Sequence, residues 1–195
     1  MTLNAGTIAL TSAAANAGGL NGGPVTLNGG TLKMYSAGDA TSAGVLAADL
    51  VVPGIATLET APRCGFSGDV SGTGTLNYFT TYVRADITGD WSQFTGTVNV
   101  TTDAGGGDFR IASDYAWSGL PGAALHLNAS TWFYFAGISS SGAGTTIGIG
   151  EVTGPAGAHL RGGVTGGRAL TYRIGSRTLA GGSAVFNGVI EEQNT

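Results

Sequence analysis

The sequence predicts an all-β protein built as a right-handed parallel β-helix. Short runs of alternating apolar and small residues recur along the chain, glycines separate them, and helix signals are nearly absent. Each coil is too small to bury its own apolar face, so neighbouring coils must share one core. The runs are spaced by about 18 to 26 residues, which is typical of solenoids, when they are centred on Ile8, Leu32, Leu58, Leu76 and Val98.

Composition supports one elongated domain over residues 1–195. The chain has 36 glycines, 42% hydrophobic residues and only 10% charged residues. Periodic Val, Ile and Leu distinguish it from a disordered linker. Collagen is excluded because glycine does not recur at every third residue and proline is scarce. Glycine instead falls between the apolar runs, where a tight corner favours a positive φ.

The elements follow the composition along the chain. The part before Pro53 predicts small coils rich in Ala, Gly and Asn, and its best helical candidate, around Ala43 to Leu50, is equally compatible with a strand and a loop. The middle, from Phe66 to Phe135, holds most of the aromatic residues. In the run TGTVNV, Val98 and Val100 are expected to face inward, because side chains alternate along a strand. The last third returns to small residues.

Two stretches go beyond periodicity, Val70–Val100 and Leu170–Ile190. They resemble autotransporter-associated β-strand repeat proteins, most specifically in the Gly-Asp-Trp-x-x-Phe-Thr-Gly-Thr core at Gly89–Thr97, and Val25–Met34 looks like the simplest coil of that family. The resemblance implies a β-helical, passenger-type fold in an exported bacterial protein. In size, glycine content and aromatic-rich middle, the chain is also similar to β-helical carbohydrate-binding modules attached to xylanases.

Charge and chain ends limit the partners and the location. Lys33 is the only lysine and the net charge is −4, so we expect no nucleic-acid partner. No apolar run reaches the length of about 18 residues needed for a membrane span. No signal peptide follows Met1, and the chain stops just after a strand-like run. We therefore expect a piece of a larger multidomain protein. We also expect a monomer located outside the cell or on its surface, because low charge and a composition rich in Thr, Asn and Gly are typical of an exported solenoid.

Catalysis is not expected. The carboxylates are scattered and mostly lie beside glycine, where aspartate favours turns; stacking could bring Asp69 and Asp90 together, and we interpret both as structural. His126 and His159 lack partners at metal-ligand spacing, and Cys64 is predicted to be a small buried residue. A structural calcium ion held by Asp103 and Asp108, in the loop DAGGGD, is a hypothesis. Otherwise no cofactor is predicted.

Aromatic residues provide the candidate ligand-binding site. In the run Trp132-Phe133-Tyr134-Phe135, the two Phe residues are expected in the core, which places Trp132 and Tyr134 outside. Tyr115 and Trp117 repeat this arrangement, and sugar rings stack on such side chains. Trp91 and Phe94 are assigned to packing, and one of Tyr78 and Phe79 must face inward. The polar partners expected nearest to the outward aromatics are Arg110, Asp114 and Asn128.

Two functions remain open from the sequence. The first is a non-catalytic module that binds a plant cell-wall polysaccharide, with xylan as the first candidate by family analogy, and tethers a covalently linked glycoside hydrolase to it. The second is a structural or adhesive passenger segment of an autotransporter-like surface protein. A β-helical lyase or glycosidase would need a clustered Asp–Arg or Asp–Asp site.

Overall fold

The computed structural model is all-β, and it confirms the predicted parallel β-solenoid. It describes residues 1–11, 20, 23–35, 44–60, 64–80, 85–103, 106–111, 119–135, 145–162, 170–175, 177 and 184–191. Across these ranges no helix is long and apolar enough to cross a membrane. The helical candidate near Ala43–Leu50 contains two short strands instead, because Gly44 and the alternating burial that follows it suit an extended backbone.

The described residues form strands that are numbered here in chain order. They are β1 Thr2–Leu3, β2 Thr7–Thr11, β3 Val25–Leu27, β4 Thr31–Tyr35, β5 Val45–Leu46, β6 Leu50–Val51, β7 Ile55–Thr60, β8 Gly65–Phe66, β9 Val70–Ser71, β10 Thr75–Thr80, β11 Ala85–Ile87, β12 Thr97–Thr102, β13 Gly107–Ile111, β14 Gly119–Leu127, β15 Thr131–Phe135, β16 Thr145–Thr153, β17 His159–Arg161, β18 Leu170–Ile174 and β19 Val189–Glu191.

These strands stack into three sheets, and all pairings between them are parallel. The four-stranded sheet has the order β1-β3-β6-β9, the eight-stranded sheet β18-β16-β14-β12-β10-β7-β4-β2, and the seven-stranded sheet β19-β17-β15-β13-β11-β8-β5. Successive coils therefore place equivalent residues directly above one another. Each side chain has a fixed neighbour one coil away, and this fixes the geometry of the outer surface.

The apolar residues on which the predicted coils are centred are largely in register in the structure. Ile8, Leu32 and Leu58 are in register, and so are Leu76 and Val98. The sequence spacing misaligned one step, because Leu58 pairs with Tyr78 rather than with Leu76. A shift of two residues leaves the same face inward, so the apolar pattern alone does not detect it. Val98 and Val100 are buried as predicted.

An aromatic ladder fills the middle of the core. Phe109 contacts Tyr78, Trp91 and Phe133, with ring centroids 5.0, 5.6 and 5.6 Å away. The ladder continues from Trp91 to Phe66 at 6.3 Å. All five side chains are fully buried. Much of the aromatic enrichment in the middle of the chain is therefore core packing.

Candidate functional site

The outer face of the seven-stranded sheet carries the candidate site. The inward residues Phe109, Phe133 and Leu160 are in register and buried, so their neighbours along β13, β15 and β17 point away from the core. This places aromatic and charged side chains in rows that run across β13, β15, β17 and β19. We call Trp132, His159, Arg161 and Glu191 the outer ladder.

Trp132 lies on the outer face, as predicted, and is half-buried there. On the β13 side its six-membered ring fills the space beside Gly106, where an added Cβ would lie 2.2 Å from Cζ3. On the β17 side the His159 ring stacks on it at 5.6 Å, with the planes 26° apart. The guanidinium carbon of Arg161 lies 5.1 Å from the ring centroid. Both sides of the indole ring therefore face neighbouring coils.

Glu191 joins the charged members of the outer ladder. One carboxylate oxygen, Oε1, accepts a hydrogen bond from Nε of Arg161 at 2.6 Å and lies 3.0 Å from Nδ1 of His159. The hydrogen bond from Arg161, together with the positive charges of Arg161 and His159, lowers the pKa of Glu191 against the opposing effect of burial. The carboxylate is thus held ionised beside two basic groups.

The polar residues predicted to contact a ligand are placed differently. Arg110 lies on the outer face of β13 but is buried, which is not the exposure expected of a side chain that meets a polymer. Asn128 is exposed, yet its side-chain oxygen accepts from the backbone N–H of Ala129 at 2.9 Å, and its carbonyl accepts from Thr131. Asn128 therefore shapes the turn that leads into β15.

Several predicted residues cannot be placed as side chains. Asp114, Tyr115 and Trp117 lie outside the described residues. Tyr134 is described through its backbone, which pairs with Arg110 of β13 and with Arg161 of β17. These four residues remain predictions as ligand contacts.

The remaining aromatic residues divide between core and surface as alternation requires. Trp91 and Phe94 are buried, which confirms their assignment to packing. Tyr78 faces the core and Phe79 the outside, where Phe79 is half-buried. The hydroxyl group of Tyr78 therefore does not keep this side chain out of the core, where its ring packs against Phe109.

Stacking brings the corner aspartates together, and they act on the backbone. Oδ1 of Asp49 accepts the N–H of Asp69 at 2.9 Å, and Oδ1 of Asp69 accepts the N–H of Asp90 at 2.8 Å. Asp90 in turn accepts the N–H of Ser92. This corner ladder, Asp49–Asp69–Asp90, is the structural arrangement expected for Asp69 and Asp90. Its carboxylates accept hydrogen bonds from backbone amides.

The calcium hypothesis gains no support from the arrangement of its ligands. Asp103 is exposed at a turn, where its carbonyl accepts the N–H of Gly106, whereas Asp108 is buried on β13. Among the described residues, no group of three or more His, Cys, Asp and Glu is placed to hold a metal ion. Calcium binding at Asp103 and Asp108 stays a prediction.

The sequence analysis missed the outer ladder, in which His159 is half-buried. A signal was available. The triplets WFY, HLR and VIE each have an apolar centre, and aligning those centres stacks Trp132 on His159 and Arg161 on Glu191. Within the ladder the imidazole, guanidinium and carboxylate groups contact one another, whereas the indole Nε1 of Trp132 is buried without a hydrogen-bond partner among the described residues. Compared with known proteins, the chain matches no family model, no curated protein and no solved structure.

Proposed function

We propose that the chain is a non-catalytic structural segment of a secreted or cell-surface protein, whose stacked coils form a stiff spacer or adhesive stalk. The main support for this proposal is that the acidic side chains make contacts between neighbouring coils. Asp49 and Asp69 accept backbone N–H groups from the following coil. Glu59, Glu151 and Glu191 pair with basic side chains of the preceding coil. Carboxylates used in this way hold coils together.

The surroundings of Trp132 support the same proposal. A sugar ring stacks on the open face of an aromatic side chain. The His159 ring is stacked on the indole, and the six-membered ring of the indole packs closely against Gly106, so little of the ring is open to a sugar. The resemblance of Val70–Val100 to autotransporter-associated β-strand repeats points to the same role.

A polysaccharide-binding module is the second candidate, and the outer ladder favours it. A half-buried tryptophan beside Arg161, His159 and Glu191 combines an apolar edge with groups that hydrogen-bond to hydroxyls. Tyr115, Trp117 and Tyr134 would extend this surface. The ligand class would be a neutral plant polysaccharide, with xylan tested first, and the covalent partner would be a hydrolase.

Affinity electrophoresis separates the two candidates. If the chain is a structural segment, we expect its mobility to be the same in plain gels and in gels that contain xylan, glucan or mannan. We also expect no new reducing ends or unsaturated products after the protein is incubated with these polysaccharides. Retardation that Trp132→Ala abolishes and Phe79→Ala leaves intact would favour the polysaccharide module. Phe79 is a suitable control because it is also an outward, half-buried aromatic residue, on the eight-stranded sheet.

A mechanical measurement tests the stalk directly. Tandem copies of the chain are stretched between a surface and a force probe. We expect the stack to keep its length under load and to lose coils in successive steps, because each coil contacts mainly its neighbours. Extension at negligible force, without steps, would contradict a load-bearing role.

A further inference from the structure

Arg177 makes a contact that skips coils of the stack. Its backbone N–H donates to the carbonyl of Gly150 at 3.0 Å, so its main chain lies on the coil next to that of β16. Its side chain reaches further, because Nη1 donates to the carbonyl of Gly96 at 3.0 Å, and these two residues are 81 positions apart. Gly96 directly precedes β12, and β14 and β16 lie between β12 and β18 in the eight-stranded sheet. This hydrogen bond therefore spans two intervening strands.

The side-chain contacts of the two ladders described above join neighbouring coils only. In the outer ladder Glu191 and His159 are 32 positions apart, and in the corner ladder Asp69 and Asp49 are 20 positions apart. Coils that interact only with their neighbours can open one at a time from an end. A hydrogen bond that spans two strands adds a coupling that contacts between neighbours do not provide.

An irregularity in β14 lies beside this hydrogen bond. Leu120 pairs with Ile149 and Ala124 pairs with Glu151, so four steps along β14 match two steps along β16. The additional residues form a bulge, and a bulge interrupts the regular pairing of a strand with its neighbour. Gly150 is the residue of β16 that faces this bulge.

Glycine at position 150 leaves room for the Arg177 side chain. An added Cβ there would lie 2.6 Å from the carbonyl oxygen of Ala123 in the bulge and 2.9 Å from Cβ of Arg177. The carbonyl of Gly96 also accepts the N–H of Ala124 at 3.0 Å, and its two lone pairs allow it to accept from both donors. The Arg177 side chain thus connects the strands on the two sides of the bulged strand.

We propose that Arg177 is a clamp that fastens the coil of β18 across β16 and β14 to the coil of β12, so that β18 opens together with these strands rather than alone. The donor is cationic and the contact is partly buried, which makes the hydrogen bond stronger than one from a neutral donor. The coil of β18 cannot leave β16 while this bond is intact. The proposal is independent of the proposed function, because it concerns the order in which coils open rather than what the stack carries.

Amide hydrogen exchange on the whole chain tests the clamp. The reporters are the N–H of Gly175, which donates to the carbonyl of Ile149, and the N–H of Ala124. In the wild type, their exchange rates, corrected for intrinsic reactivity, should agree within about threefold, because one opening exposes both. Arg177→Met keeps the stem but removes the donor. It should accelerate exchange at Gly175 at least about tenfold and leave the rate at Ala124 within about threefold of the wild type.

Arg173→Met is the matched control, because Arg173 is an exposed arginine on β18 itself. It should leave the exchange rate at Gly175 unchanged, and circular dichroism should show that both variants fold. The N–H of Thr57, which donates to Gly30 in a distant coil, should keep its rate in every protein. Equal acceleration at Gly175 in the two methionine variants would overturn the proposal. So would a wild-type chain in which Gly175 exchanges at least about tenfold faster than Ala124, a comparison that needs no variant.

Discussion

At the scale of single residues, one corner of the solenoid depends on glycine and aspartate side by side. Gly68 precedes Asp69 and Gly89 precedes Asp90. A Cβ at Gly68 would lie 2.1 Å from the carbonyl oxygen of Ala48, and a Cβ at Gly89 would lie 1.9 Å from that of Gly68. At both glycines the backbone lies too close to the preceding coil to leave room for a side chain. This close approach brings the N–H of Asp69 to the carboxylate of Asp49, and the N–H of Asp90 to the carboxylate of Asp69.

Gly89→Ala should destabilise the protein by at least about 2 kcal/mol, because the added methyl group meets a backbone atom that cannot move alone. Gly23→Ala is the control, since nothing lies within 4 Å of an added Cβ there. Its free energy of unfolding should change by less than about 0.5 kcal/mol or rise slightly. Urea denaturation measures both, and equal losses would contradict the close-approach argument.

Asp69→Ala should cost about 0.5 to 1.5 kcal/mol, because the N–H of Asp90 loses its acceptor but can still reach water. Asp69→Asn retains an oxygen at Oδ1 and should lose less than half as much. The free energies of unfolding of the two variants, measured by urea denaturation, test this. A loss as large for asparagine as for alanine would mean that the charge, not the hydrogen bond, matters.

At the scale of elements, strand register determines which side chains meet on the outer face. The sequence predicted that Trp132 points outward and Phe133 inward, because alternation is local to β15. It did not predict the contacts with His159 and Arg161, because they depend on how the corners between β15 and β17 align the two strands. A loop of different length would have placed other residues beside the indole.

The outer ladder makes stability depend on pH through Glu191. Its pKa is lower in the folded chain than the ordinary value of 4.5, chiefly because Arg161 donates a hydrogen bond to it. A lowered pKa stabilises the fold above the ordinary value, and this stabilisation is lost as pH falls through the folded pKa. Glu191→Gln should therefore be less stable than the wild type at pH 7, and the gap should close toward pH 3.

Thermal unfolding between pH 7 and pH 3 measures this gap. Added salt should narrow it at pH 7, since exposed charges are screened. A gap in melting temperature that stays constant across this range would show that Glu191 acts through packing instead.

At the scale of the whole molecule, the core was the most predictable part of the structure. The period of the apolar runs, the glycine corners and the parallel stack all follow from a coil that cannot bury its own face. The role of the aromatic residues was less predictable. A buried ladder through Phe109 and an exposed sugar platform give the same enrichment in composition, and Tyr78 shows that a hydroxyl does not exclude burial.

Phe109→Ala should lower the free energy of unfolding by about 3 to 5 kcal/mol, because it opens a cavity between Tyr78, Trp91 and Phe133. Phe79→Ala removes the same side chain from the outer face and should cost about 1 kcal/mol or less. Chemical denaturation followed by tryptophan fluorescence compares them. Similar losses would mean that the aromatic ladder is not the centre of the core.

The spacing between paired strands is not constant along the stack. Ile55 pairs with Thr75, whereas Thr97 pairs with Ala124, yet both pairs belong to regular ladders of the eight-stranded sheet. The segments between strands therefore differ in length, while the strands that they connect still pair in parallel. A peptide inserted at such a corner would project from the surface of the solenoid. This architecture can therefore gain new surface residues by insertion without a change in its stacked strands.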